Sequence, residues 1–223
     1  MTEPASHRHA LPLEPLAVLG RVPAIGSVLI GIRAGGALLE GIGTIESVGE
    51  EAGDIVLRGP GRETRIAADA IARIVIDQMA MKTIMPFIEL FDADGNALAK
   101  ITALDGLEPF DAALEGIART PLAAAAPAAR PAPGEGEPAD GPLKAAADAG
   151  KPVTLAAKKP GISHRWTGTI SDASFSHGFL NVIQPDMHLH VRAGAIADWR
   201  EGPEGTFGAL DADGKAIGLT LTA

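Results

Sequence analysis

The chain has 223 residues, of which 46% are hydrophobic, 21% charged and 4% aromatic, with no Tyr and no Cys. That length holds one sizeable domain or two small ones, and the core must be built from Ala, Ile, Leu and Val. A net charge of -9 argues against general nucleic-acid backbone binding, and the lack of Cys excludes a disulfide framework, a thiol nucleophile and a thiolate metal site.

Residues 1–10 read as a loose tail in which His7 and His9 are solvated. Leu11 to Leu19 predicts a short helix ending near Gly20, since Pro12 and Pro15 suit a first turn. From Ser27 the pattern becomes strand-like, with Val28, Ile30 and Ile32 on one face and a Gly35-Gly36 turn before Ala37 to Ser47. Further short strands are expected at Ile55 to Leu57, Arg62 to Ala67, Ile71 to Ile76, Ile84 to Phe91 and Ala97 to Ile101. Asp92-Ala93-Asp94-Gly95 joins the last two as a hairpin turn, with Gly95 free to take positive φ. Leu107 to Arg119 is helical by composition and spacing. Residues 120–142 are dominated by Ala, Pro, Gly and Glu, the composition of a linker. A short helix, Leu143 to Ala149, ends at Gly150, and strands resume at Val153.

The two halves repeat. A shift of 125 places Val28 on Val153, Gly36 on Gly161, Gly43-Thr44-Ile45 on Gly168-Thr169-Ile170, Gly53 on Gly178 and Pro60 on Pro185. After a shortening of six, Asp92-Ala93-Asp94-Gly95 falls on Asp211-Ala212-Asp213-Gly214. The expected fold class is therefore α+β: an internally duplicated chain of mostly antiparallel sheet units with a few peripheral helices. Its expected organisation is a first repeat at 11–119, a linker at 120–142 and a second, shorter repeat at 143–223. The exposed sheet edges of such units need covering, and a homodimer is the expected route.

The richest stretch runs from Gly178 to Arg192. Between Met187 and Arg192 it alternates with a strand's two-residue period, so Met187, Leu189 and Val191 face one way and His188, His190 and Arg192 the other. In the first copy Glu63, Arg65 and Ala67 occupy the latter face. Two imidazoles and a guanidinium suit a metal, a haem or an anionic ligand, or form a polar solvent face. Two His bind Zn or Cu weakly, and a facial triad needs a carboxylate, for which Asp186 and Asp198 are the sequence neighbours. One axial His suffices for haem, with Arg192, Arg200, Lys82 or Arg65 to pair with the propionates and His177 or His164 as alternative ligands.

Other chemistries find little support. Ser163-His164 and Ser176-His177 place adjacent side chains on opposite strand faces, and no GxSxG elbow is present. Asp94 and Asp213 read as turn residues, because the downstream Glu of a calcium loop is missing. Gly59-Pro60-Gly61 is too short for a phosphate loop, and Trp166 and Trp199 read as core or interface residues.

GFLNVIQPDMHLHVRAGAIADW, followed by ALDADGKAIG, resembles the carboxy-terminal part of the bacterial haem-utilisation proteins of the haemin-degrading and haem-trafficking superfamily. LGRVPAIGSVLIGIRAGGALLEGIGTIESV, IAADAIARIVI and FIELFDADGNALAKI are similar in the same way to its first half. The likeness covers about residues 16–115 and 150–221. It implies a cytoplasmic haem-binding or haem-trafficking protein, with haem breakdown by an external electron donor as a further capacity. The other reading is a scaffold of the same fold, or a binder of another small ligand, without haem. DMHLHVR resembles the family's histidine-bearing strand, which assigns His190 first and His188 second as iron ligands, with Arg192, His177 and Arg200 around the cofactor. Where the family often carries a basic Arg-Lys-Pro segment, this chain has Arg200-Glu201-Gly202-Pro203-Glu204-Gly205. Without an 18-residue apolar stretch or a signal pattern, no membrane insertion is expected.

Overall fold

The structure, a computed structural model, describes residues 6–80, 82–125, 134–136 and 139–223. Its elements begin with β1 (His9–Leu11), α1 (Pro15–Leu19), β2 (Ser27–Ala34), β3 (Ala37–Thr44), β4 (Ser47–Glu51), β5 (Asp54–Gly59) and β6 (Arg62–Ala67). They continue with β7 (Arg73–Ala80), β8 (Ile84–Phe91), β9 (Ala97–Ala103), α2 (Leu107–Ala113), β10 (Thr120–Pro121) and α3 (Gly141–Ala149). The last are β11 (Pro152–Lys159), β12 (Ile162–Thr169), β13 (Ser174–Ser176), β14 (Phe179–Gln184), β15 (Met187–Arg192), β16 (Asp198–Glu201), β17 (Thr206–Leu210) and β18 (Ala216–Thr222). The fold is mostly antiparallel sheet with peripheral helices, as the short strands and tight turns require.

The succession of strands repeats. The starts of β2 and β11 (27 and 152), β3 and β12 (37 and 162), β5 and β14 (54 and 179) and β6 and β15 (62 and 187) are each 125 apart. β9 and β18 (97 and 216) are 119 apart. Even the unusual backbone repeats: Ala52 and His177, at equivalent places, take φ of 51° and 53°, each followed by a glycine at positive φ. Two consecutive left-handed residues are what a tight two-residue hairpin demands.

The chain forms two compact units. The first comprises residues 1–30, 43–60 and 65–130. Its strand order runs β10-β1-β7-β8-β9 and on to the first half of β2, and the β4–β5 hairpin also belongs to it. Val18 and Leu19 of α1, Ile74 and Ile76 of β7, Ile88 and Leu90 of β8, and Phe110 of α2 bury its core. The second comprises residues 31–42, 61–64 and 131–223. There the order is the end of β2, then β3-β15-β14-β13, and separately β16-β17-β18-β11-β12 followed by the start of β6. Leu39, Leu155, Trp166, Leu180, Val182, Leu189, Val191, Leu219 and Leu221 are among its buried side chains, all but shut off from solvent.

Three local expectations are corrected. The tail is not loose to its end: His9–Leu11 pairs with both β7 and β10, which half-buries His9. The helix expected over 11–19 begins only at Pro15, because Leu11 belongs to that strand and Pro12 has no N–H to continue it. The helix expected over 107–119 ends at Ala113, since Gly116 at φ 81° turns the chain and only Phe110, Ala113 and Leu114 find buried positions. Of the linker stretch 120–142, residues 126–133 and 137–138 lie outside the described residues, while Thr120–Pro121 forms a short strand.

Both Asp-x-Asp-Gly turns form, but the working aspartate is the first. Asp92 Oδ1 accepts the N–H groups of Asp94 and Asn96, and Asp211 Oδ1 those of Asp213 and Lys215. Asp94 and Asp213 are exposed.

Candidate functional site

β15 alternates as its sequence dictates. Met187, Leu189 and Val191 are buried, while His188 and His190 are half-buried on the opposite face and Arg192 is exposed there. β14 and β3 flank this strand. His190 lies opposite Asn181 on one side and Leu38 on the other; His188 lies opposite Ile183 and Glu40. The polar face of β15 is thus continuous with Phe179, Asn181 and Ile183 of β14 and with Leu38 and Glu40 of β3. Beyond β3, the end of β2 presents Gly31 and Arg33. A side chain at Gly31 would touch Glu40 and Leu38, so the glycine leaves their side chains room.

Hydrogen bonds fix the orientation of His190. The Asn181 amide nitrogen donates to Phe179 O (2.9 Å) and Ser176 Oγ (3.1 Å), so its Oδ1 is left as an acceptor. That oxygen lies 2.7 Å from His190 Nδ1, which therefore carries the proton. Nε2 is left with its lone pair. Burial, above all, lowers the pKa of His190; Glu40 opposes this, while His188 and Arg33 reinforce it. Glu40 Oε2 sits 3.5 Å from His188 Nδ1 and 3.8 Å from His190 Nε2. The two imidazole rings meet edge-on, with centroids 5.9 Å apart.

An open cleft of about 650 Å³ lies on this face, wholly within the second unit. Leu38, Phe179 and Ile183 supply its apolar surface, and Ser176, Asn181, His177 and His190 its polar groups. Arg33 and Arg192 bring two guanidinium groups to its lining. Of the residues named from sequence, His190, Arg192 and His177 line this cleft. His188 lies beside it, next to Glu40. Arg200 is exposed on β16, away from the cleft lining. Lys82 and Arg65 belong to the first unit, where Arg65 pairs with Glu51.

His164, the other alternative ligand named from sequence, does not reach the cleft. It is fully buried on β12, its Nδ1 2.8 Å from Thr64 Oγ1, its Nε2 without a hydrogen-bond partner and its pKa lowered to about 4 by burial and the Arg62 charge. Asp186 and Asp198 supply no carboxylate to the histidine pair. Asp186 instead accepts a 2.9 Å hydrogen bond from Trp166 Nε1, and Asp198 is exposed.

Sequence reasoning missed Glu40, Arg33 and Asn181. The repeat does mark where the two copies differ, though it does not single out these three residues. Where the second copy has Ser176, Ile183 and His190, the first has Glu51, Arg58 and Arg65, each 125 residues earlier. Those three form an ion-pair cluster with 2.8 Å contacts, and the two arginines hold the Glu51 carboxyl well below the usual carboxylate range. In the same way Glu40 and His188 correspond to Arg165 and Glu63, which are paired at 3.6 Å. One copy closes this surface with complementary charges; the other replaces them with a cleft, two histidines and one carboxylate.

No protein-family model matches the sequence, and no curated protein sequence matches it. Solved structures do. The chain is similar to holo-PhuS, a haem-binding protein from Pseudomonas aeruginosa, at 16% identity and a TM-score of 0.75, over 96% of this chain and 81% of that one. Apo-PhuS gives 18% identity and a TM-score of 0.75, over 97% and 81%. ChuS, an Escherichia coli haem oxygenase, gives 16% identity and a TM-score of 0.76, over 97% and 83%. The chain shares the fold of PhuS and ChuS.

Proposed function

We propose that this protein is a cytoplasmic haem-binding and haem-trafficking protein that holds haem in the cleft of the second unit. The observation that carries the reading is His190: a neutral imidazole, its Nδ1–H tied to Asn181 and its Nε2 lone pair free, lines an apolar cleft together with two arginines. The residues fit the group. A single nitrogen ligand, apolar walls and cations for carboxylates are what haem requires of a protein. Bound there, haem would supply its iron's redox and ligand-exchange chemistry.

The chain's own contribution is orientation and shielding. Asn181 fixes the tautomer of His190 and stops its ring from turning. Leu38, Phe179 and Ile183 exclude water from the face of the ligand, while Arg33 and Arg192 attract its carboxylates. His188 is the second candidate ligand, and His177, on its left-handed turn, an alternative. The scaffold in this proposal is a pair of copies, 11–119 and 143–223, joined by the 120–142 linker, and a second copy of the chain covers the exposed sheet edges. No nucleic acid takes part. Among the described residues no helix is long and apolar enough to cross a membrane.

Titration of the purified protein with haemin tests the proposal. A Soret band saturating at one equivalent, lost in His190→Ala and weakened in Arg33→Ala and Arg192→Ala, is the expected result. Biliverdin-like products on adding a reductant separate degradation from carriage. A folded protein with no Soret shift favours a scaffold of the same fold or a binder of another small ligand.

A further inference from the structure

We propose that Glu40, His188 and His190 form a binding site for a divalent first-row metal ion of borderline softness, such as Zn(II) or Co(II). The carboxylate oxygen of Glu40, Nδ1 of His188 and Nε2 of His190 all lie within 4.8 Å of one another. Donor atoms around a tetrahedral zinc with bonds of about 2.0–2.1 Å are roughly 3.3 Å apart, so small side-chain rotations bring these three to coordination distance. Two imidazole nitrogens and one carboxylate oxygen form the donor set used by catalytic zinc and by facial-triad iron sites.

Three features separate this cluster from a chance meeting of polar groups on a sheet. First, backbone register sets it: Glu40 and His188 are directly opposite on β3 and β15, and His190 is the next residue on the same face. Second, the outer contact a metal-bound histidine needs is already made, because Asn181 Oδ1 accepts a hydrogen bond from His190 Nδ1–H and leaves Nε2 to a metal. Third, the duplication provides an internal comparison. The pair related to Glu40 and His188 by the repeat, Arg165 and Glu63, is an ordinary ion pair. Here Glu40 faces two imidazoles at 3.5 and 3.8 Å, distances long for hydrogen bonds, in an arrangement a cation would complete. The side chains are 17–29% exposed, so an ion has access and open coordination positions for water or a small anion.

The site shares His190 with the haem proposal but does not rest on it. One nitrogen lone pair serves one metal, so the two occupants exclude each other.

The test is zinc competition against a chromophoric chelator, with Co(II) absorption as a second readout, on the full-length metal-free protein. Binding of one equivalent is expected, weakened at least tenfold in Glu40→Gln and in His188→Asn, and 10- to 100-fold in Asn181→Ala. His9→Asn, in the first unit, should bind as the parent does. A zinc-dependent rise in melting temperature in the parent, absent in Glu40→Gln, shows that the variant folds and has lost only the ion. Parent protein that takes up no stoichiometric zinc, or a Glu40→Gln variant that binds zinc as tightly as the parent, overturns the proposal. Haemin titration of Glu40→Gln keeps the two readings apart. A retained Soret band with lost zinc binding leaves both standing; zinc binding without any Soret band in the parent removes the haem reading alone.

Discussion

Acidification should loosen this fold through one buried side chain, His164. It is fully shielded from solvent, and its pKa is lowered from 6.5 to about 4, mainly by burial and then by the Arg62 charge. Between these two values the unfolded chain binds a proton at this residue and the folded chain does not, so stability must fall as pH falls through that window. Linkage over this interval gives a loss of about 2 kcal/mol between pH 7 and pH 5, approaching roughly 3 kcal/mol near pH 4. Other groups titrate too, so the measurement is a comparison. Urea unfolding at pH 7, 6 and 5 should be run on the parent, on His164→Leu, which installs the residue found at the equivalent Leu39, and on His164→Gln, which keeps a polar partner for Thr64. The variants should each lose about 2 kcal/mol less than the parent over that range, whatever their stability at pH 7. Parallel pH profiles for parent and both variants would show that His164 accommodates its proton, and the burial argument would be wrong.

Three further outcomes follow from the same geometry. Gly41→Ala should cost about 1–3 kcal/mol in urea unfolding, because its Cβ would meet His164 Nε2 at 2.6 Å and Arg62 Cδ at 3.1 Å, in a part of the core with no free space. Asp211→Ala should lose about 1 kcal/mol by releasing two backbone N–H groups, whereas Asp213→Ala should stay within about 0.5 kcal/mol of the parent; equal effects would refute the assignment of the turn to its first aspartate. Grafting the first copy's charges onto the second, as Ser176→Glu with Ile183→Arg and His190→Arg, should leave the melting temperature nearly unchanged while abolishing haemin and zinc binding, since exposed ion pairs contribute only about 0–1 kcal/mol.

The alternation in Met187–Arg192 was readable because one face is buried: a two-residue period admits a single assignment of inside and outside once Met187, Leu189 and Val191 must be covered. The duplication was readable because glycines at hairpin turns hold their places; Gly53 and Gly178 both take positive φ. Glu40 was not readable. It lies 148 residues from His188, and nothing in Leu38-Leu39-Glu40-Gly41 indicates that β3 pairs with β15 rather than only with β2. Sequence neighbours such as Asp186 and Asp198 looked closer to the histidines than they are in space. The burial of His164 was legible in principle: Ile162, His164 and Trp166 alternate along β12, which puts the imidazole on the buried face. The strand at His9–Leu11 is three residues long and owes its existence to pairing on both sides, so no local pattern announces it.

Duplication also explains why the chemistry gathers on one copy. A sheet surface whose cross-strand neighbours are oppositely charged is satisfied by its own ion pairs, as Glu51, Arg58 and Arg65 are, and it offers a ligand no unpartnered donor. The second copy keeps the backbone, down to the left-handed residue at His177, but has Ser176, Ile183 and His190 where the charges stood. Removing exposed ion pairs costs the fold little, since such pairs are worth at most about 1 kcal/mol. The scaffold therefore accommodates either set of residues, and the second copy's set borders an apolar cleft beside an imidazole lone pair. The first copy's surface is closed by its ion pairs, whereas the second copy's is open as a cleft. Glu40 is the exception: it comes from the first copy's sequence and completes a cluster on the second copy's strand, because β3 pairs with β15.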